Sequence, residues 1–271
     1  MSELKGADNV YDNVLFERGG EVATIALNRP KVLNAFNAAL YDEIHDALND
    51  ADEDDGIRCI VLRGEGQGFS AGADLAEISG ESDGAGPDLG EYLRRTSSRL
   101  ITQMTKIEKP IVASLHGPVY GAGLGFALAC DLRVAAVSAK FSSAFINIGL
   151  MPDVGVSFFL PRIVGLGRAM EMSMLGEAVD AEEAQRIGLV NKVVPDETLN
   201  EETATLAERL AAMPTLALGQ TKKTFHASFE SDLATVLEAE AEGQMFCGYT
   251  KDHKEGVAAF FEKREPTFSG S

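Results

Sequence analysis

Basic residues are scarce in this chain of 271 amino acids: 24 Lys and Arg stand against 42 Asp and Glu, a formal net charge of −18. That balance argues against nucleic-acid binding, because phosphate backbones reward basic surfaces. It equally opposes attraction to an anionic membrane surface. Cysteine is rare too. Cys59, Cys130 and Cys247 are odd in number and widely spaced, which speaks against a disulfide framework. Cys59 and Cys130 lie in apolar runs and read as small core residues. The four histidines are isolated from one another, so the ligand spacing of a zinc site is missing. No window approaches the ~18 apolar residues of a membrane span, and the opening MSELKGADNVYDNV has no apolar signal core. These absences predict a cytoplasmic protein without a membrane, nucleic-acid or metal partner. The acid excess fits a high-salt cytoplasm, where screening is strong, and fits a moderately acidic mesophilic surface equally well.

What the chain does have is length enough for a substantial core, with 45% hydrophobic residues. VATIALNRP (Val22–Pro30) is rich in β-formers and stops at a proline. A helix follows, with Leu40, Ile44 and Leu48 at i, i+4 and i+8 and Asn37 as N-cap. IRCIVLRG, PIVASLHG and LRVAAV read as buried strands, and EYLRRTSSRLITQMTKI as a helix with Leu93, Leu100, Ile101 and Met104 on one side. Continuous apolar strands alternating with helices predict a mostly parallel α/β core. From about Pro195 only helical patterns remain, which divides the chain into an α/β core (1–195) and a helical C-terminal region (196–271). Ser79–Gly90, SGESDGAGPDLG, is the turn-rich segment, a surface loop or a lid beside a site.

Several motifs invite misreading. GFSAG (Gly68–Gly72) matches the G-x-S-x-G nucleophile elbow, but that elbow requires a strand to end at the serine. Here GEGQG already separates the strand from Ser70. GAGLG (Gly121–Gly125) lacks the last glycine of the dinucleotide fingerprint and the acid about 20 residues on. More telling are two glycine-rich turns, each behind a buried strand: GFSAGADL and HGPVYGAGLGFALACD. Small residues allow close backbone approach and leave amides facing outward. Two such amides converging would make an oxyanion hole.

Together with LNRPKVLNAF, FSSAFINIGLMPDVG, AEEAQRIGLVNKVV and HKEGVAAFFEKREPTF, these turns resemble the enoyl-CoA hydratase/isomerase (crotonase) family from about Val22 to Phe268. The resemblance implies a repeated ββα core closing into a spiral, and C-terminal helices that build trimers or hexamers. It implies acyl-CoA thioester substrates and no metal or redox cofactor, coenzyme A being part of the substrate. By carry-over, the amides of Ala73 and Ala122 would hold the thioester oxygen. Lys31, Val32 and Asn34, with Ala71, Gly72, Asp74 and Gly121, would line the CoA groove. Lys263 would lie near the CoA phosphates, in its own subunit or a neighbour's, as a local positive charge in an acidic protein.

Hydratases of the family carry two glutamates, which handle the water and the proton; the matching positions here are Gly125 and Phe145. Neither moves a proton, so two-glutamate water addition is disfavoured. The turn GLMPDVG matches the isomerase branch that includes the ring-epoxide isomerases of phenylacetate breakdown, and proposes Asp153 as a single proton shuttle. Burial near Met151, Val154, Phe158 and Phe159 would raise its pKa, and Phe145 would help to exclude water. Read locally, an Asp after Pro152 is also a helix N-cap worth ~1 kcal/mol. The expected function is acyl-CoA isomerisation. The alternatives are a hydratase or another thioester reaction, and a catalytically weak acyl-CoA-binding protein.

Overall fold

The computed structural model describes residues 11–78 and 88–271. The expected loop Ser79–Gly90 falls outside the described residues except for its last three. Among the described residues, nine strands form two sheets. The larger has β1 (Val14–Gly19), β2 (Val22–Leu27), β3 (Cys59–Gly64), β4 (Ile111–Leu115), β6 (Leu132–Ala136) and β9 (Lys192–Val194) side by side in that order. The smaller holds β5 (Pro118–Tyr120), β7 (Lys140–Ser142) and β8 (Val179–Asp180).

Only the β1–β2 hairpin is antiparallel in the larger sheet; every later neighbour is parallel. The apolar strands require this, since parallel strands need crossovers that cover both sheet faces. Alternation then sorts the side chains. Ile60 and Leu62 enter the main core, whereas Cys59 and Val61 enter a second cluster on the opposite face. The chain repeats one circuit: a strand of the large sheet, a short pairing in the small sheet, then a helix. After β3, Ser70 bridges Val119; after β4 comes β5; after β6 comes β7.

The helices fill the gaps between strands: α1 (Ala38–Glu53), α2 (Leu75–Ile78), α3 (Leu89–Arg95), α4 (Ser97–Lys106), α5 (Ala122–Leu128), α6 (Val156–Val164), α7 (Leu166–Leu175) and α8 (Ala181–Arg186). Asn37 does cap α1, accepting from the Leu40 amide at 2.9 Å, and Leu40, Ile44 and Leu48 are buried. The single helix expected across Glu91–Ile107 is instead two. Thr96, at φ −110° and ψ −93°, leaves helical geometry between α3 and α4. Its hydroxyl donates to the Tyr92 carbonyl at 2.7 Å, the local competition that threonine offers a helix.

Strands end at Val194, and α9 (Leu199–Ala211), α10 (Thr215–Ser228), α11 (Leu233–Gly248) and α12 (Lys251–Glu262) follow. The first of these belongs to the sheet's packing. Leu199, Ala207 and Ala211 join Val22, Val61, Val112 and Val134 in the second cluster. No helix among the described residues is long and apolar enough to cross a membrane.

Arg58 fastens the later helices to the sheet. Its side chain is buried and donates to the Met213 carbonyl (2.6 Å), the Phe268 carbonyl (3.0 Å) and the Thr215 hydroxyl (2.9 Å). An Arg58→Met variant strands those acceptors, so it is expected to lose about 2–4 kcal/mol in urea unfolding. A loss under about 0.5 kcal/mol would show that the attachment lies elsewhere.

Candidate active site

Two loops meet where the strands of the large sheet end. The first leaves β3 and is held by Asn34, whose residue is fully buried. The Asn34 amide group donates to the Glu65 and Gly68 carbonyls, both at 2.9 Å, and its Oδ1 accepts from the Arg29 amide at 2.8 Å. Its backbone carbonyl accepts from the Ser70 hydroxyl at 2.8 Å. Ser70 Oγ in turn accepts from the Gly72 amide at 3.1 Å. Both lone-pair and proton capacity of that hydroxyl are thus engaged inside the protein. His226 and His253 line other cavities, so Ser70 is a scaffold residue and not an activated nucleophile.

The second loop runs from β5 into α5. It touches the first at Gly72, which has φ +107°: a Cβ there would come within 3.1 Å of the Tyr120 carbonyl oxygen and 3.7 Å of the Ala122 nitrogen. Only a glycine tolerates both that torsion and that approach. The Ala73 and Ala122 amides follow directly on Gly72 and Gly121. Ala122 opens α5 and therefore has no acceptor one turn back. Neither amide has a hydrogen-bond partner among the described residues.

These loops form one wall of a cavity of about 250 Å³. Ala71, Gly72, Ala73, Gly121, Ala122 and Phe145 line it, as does Asp153. Tyr41, Tyr92, Leu89 and Leu93 also line it. Asp153 does not cap α6. Gly155 occupies that position, and only the Asp153 backbone carbonyl is used, accepting from the Val156 amide at 2.9 Å. Its carboxylate Oδ1 is buried and has no hydrogen-bond partner among the described residues.

Burial alone pushes the Asp153 carboxyl up to about 6, since the charged form loses water and gains no cation. The burying groups differ in part from those expected. Met151 is 73% exposed, and Phe158 packs on Arg162 and Phe229. Among the expected four, Val154 lines the cavity; Tyr41, Phe145 and Leu150 are its other close-set walls. The Tyr41 hydroxyl is driven well above its usual range by burial and then by the Asp153 charge. Tyr92 rises to about 12, chiefly through burial, with Glu77, Asp74 and Asp42 adding to it, and its hydroxyl has no partner among the described residues.

The remaining expected site residues lie off this cavity. Lys31 and Val32 are exposed on the turn Pro30–Val32. Asn34 is spent on loop carbonyls, and Asp74 pairs with Arg29 at 3.0 Å. Lys263 is exposed at the end of α12, at φ +56°. Tyr41 and Tyr92 went unforeseen as cavity residues. Tyr41 shares the buried stripe of α1 with Ile44 and Leu48, which marks it as core; nothing in the sequence says that the core opens there.

Residues 17–271 match the family profile described as enoyl-CoA hydratase/isomerase. The chain belongs to the enoyl-CoA hydratase/isomerase family. It is 40% identical over 249 residues to the 1,2-epoxyphenylacetyl-CoA isomerase of Escherichia coli (strain K12), covering 92% of this chain and 95% of that one. It is 36% identical to the crotonyl-CoA hydratase of Syntrophomonas wolfei, covering 95% and 98% respectively. The fold matches the crystal structure of an enoyl-CoA hydratase from Bacillus anthracis with TM-score 0.88 at 32% identity, over 96% of this chain and all of that one. The crotonase-like α/β core with C-terminal helices is therefore the fold of this enoyl-CoA hydratase/isomerase family member.

A carboxyl with a raised folded pKa supports folding fully below its unfolded value near 4, and that support is lost as pH rises through about 6. Asp153→Asn is therefore expected to stabilise the protein by about 1–2 kcal/mol at pH 8, allowing for partial hydration of the carboxyl, and by less at pH 5. Urea unfolding at the two pH values measures this. Equal effects at both would contradict a buried, unpaired carboxylate.

Proposed function

We propose that this family member is an acyl-CoA isomerase in which Asp153 carries the proton. The observation that supports this most is an unpartnered carboxylate, the one that the described residues place in the cavity lined by Ala73 and Ala122. The Ala73 and Ala122 amides would receive the thioester oxygen as it gains charge. Each well-placed donor at a developing oxyanion is worth ~3–4 kcal/mol. Asp153 takes a proton from the carbon next to, or vinylogous to, the thioester carbonyl. The C–H electron pair moves into the conjugated enolate, the double bond shifts, and the carboxylic acid returns the same proton to another carbon. A carboxyl poised near 6 suits both halves, since it is mostly ionised at neutral pH yet basic enough to accept.

Hydration needs a second group to orient water. Gly125 and Phe145 occupy the places where the resemblance sets the two glutamates, and neither supplies one. The apolar Phe145 ring and the surrounding Leu150 and Val154 favour a dry enolate, where the amide donors act most strongly. The name of the E. coli relative supports a second substrate class for the same amides and carboxylate, an acyl-CoA that carries an epoxide.

Wild type is expected to convert 3-enoyl-CoA to the conjugated 2-enoyl ester, followed by its thioester absorbance. Asp153→Asn is expected to lower kcat by ~10²- to 10⁴-fold with little change in KM. Undiminished turnover in the variant would sink the proposal. Tight CoA-ester binding by wild type with no turnover would favour the acyl-CoA-binding reading.

A further inference from the structure

We propose that Gly125 is a positioning residue for Asp153: its bare Cα is the seat for the Val154 carbonyl, so the Asp153 turn reaches the cavity only while position 125 has no side chain. The inference rests on reading Asp153 as the proton carrier. A Cβ built on Gly125 would overlap the Val154 carbonyl oxygen, lie 2.9 Å from the Val154 Cβ and 3.0 Å from its carbonyl carbon. Real Cβ atoms do not approach backbone so closely, and the obstacle here is main chain, which cannot swing aside as a side-chain tip does.

The turn itself is held in an unusual shape. Val154 has φ +48° and Gly155 φ +77°, two left-handed residues in succession directly after Asp153. A β-branched residue in that region is an outlier that persists only where its surroundings hold it. The holders are visible on each side. Gly125 lies against the Val154 carbonyl, the Phe159 ring closes over Gly155, and the Val156 amide donates back to the Asp153 carbonyl at 2.9 Å. The outcome is a carboxylate aimed into an apolar cavity that an unrestrained aspartate would leave for water.

Gly125 is also three residues beyond Ala122 on α5, hence on the same face and about one turn along. One rigid element therefore sets both the amide that receives the thioester oxygen and the seat of the turn that carries the base. That fixes the spacing between oxyanion and base, which a proton transfer along the acyl chain demands. It also makes two placements of the acid mutually exclusive. A glutamate introduced at 125 must evict the Val154 carbonyl and carry Asp153 with it.

Gly125→Ala and Val154→Gly test this with 3-enoyl-CoA turnover, pH profiles, CoA-ester binding and thermal unfolding. Among the described residues, Tyr41 and Tyr92 are the other titratable side chains lining the cavity, and both are pushed upward, so neither adds a limb below pH 8 beside that of Asp153. Gly125→Ala is expected to bind CoA esters within about 3-fold of wild type and to lose ~10- to 100-fold in kcat, as a misplacement near 1 Å does. The rising limb of its kcat profile should move below about 6 as water reaches the carboxyl. Val154→Gly adopts the left-handed torsion freely but gives up a buried side chain that packs on Gly125 and loosens the turn, so it should fold with a lower Tm than wild type and lose kcat with the same shift of the limb. It decides the matter if Gly125→Ala does not fold. A folded Gly125→Ala or Val154→Gly with wild-type kcat and profile would overturn the inference while leaving the Asp153→Asn result, and the function it tests, untouched. Gly125→Glu is expected to lose isomerisation without gaining hydration, and retention of isomerisation would equally overturn it.

Discussion

Everything at this site depends on a clasp made by two small polar side chains. Asn34 and Ser70 satisfy each other's loops: amide to carbonyls on one side, hydroxyl to carbonyl and amide on the other. Such a network is stable in a dry interior only when every member is paired, and a half-paired one is worse than none. With the clasp closed, Gly72 can lie against the second loop with its strained torsion, and the two free amides come to one cavity. The serine of the nucleophile-like motif serves as a rivet between loops.

Against this fully satisfied scaffold, the cavity is left deliberately unsatisfied. Asp153 and Tyr92 each keep a buried oxygen without a partner, and the cavity's other walls are mainly apolar. Unpaired buried polar groups cost stability, typically 1–3 kcal/mol each. A fold this well packed can carry that cost, and on the proposed reading what it gains is a carboxylate whose basicity no described neighbour quenches. Stability and chemistry therefore pull in opposite directions at one residue.

Much of this was legible in the sequence, for particular reasons. Buried strands announce themselves because both faces of a parallel sheet are covered, so Cys59–Gly64 and Ile111–Leu115 stand out as apolar runs. Asn37 was readable as a cap, and the glycine turns as places of close approach. Asp153 was legible only through the family pattern; locally its proline-flanked setting pointed to a cap, and the cap turned out to be Gly155. The break at Thr96 was hidden because one β-branched residue hardly dents a helical pattern. The fit of Val154 on Gly125 was hidden more deeply. The two are 29 positions apart by their numbering, and a valine in left-handed backbone is the last thing that propensity would suggest.

The helix break at Thr96 has a consequence for how such an enzyme diversifies. On one side of it, α4 buries Leu100 and Met104 in the main core; on the other, α3 offers Leu89, Tyr92 and Leu93 to the cavity. In one continuous rod, a side chain that altered the cavity at Leu89, Tyr92 or Leu93 would strain the same rigid element that buries Leu100 and Met104. The joint uncouples the two. If the cavity takes the acyl group as proposed, α3 can vary its lining while α4 keeps the protein folded.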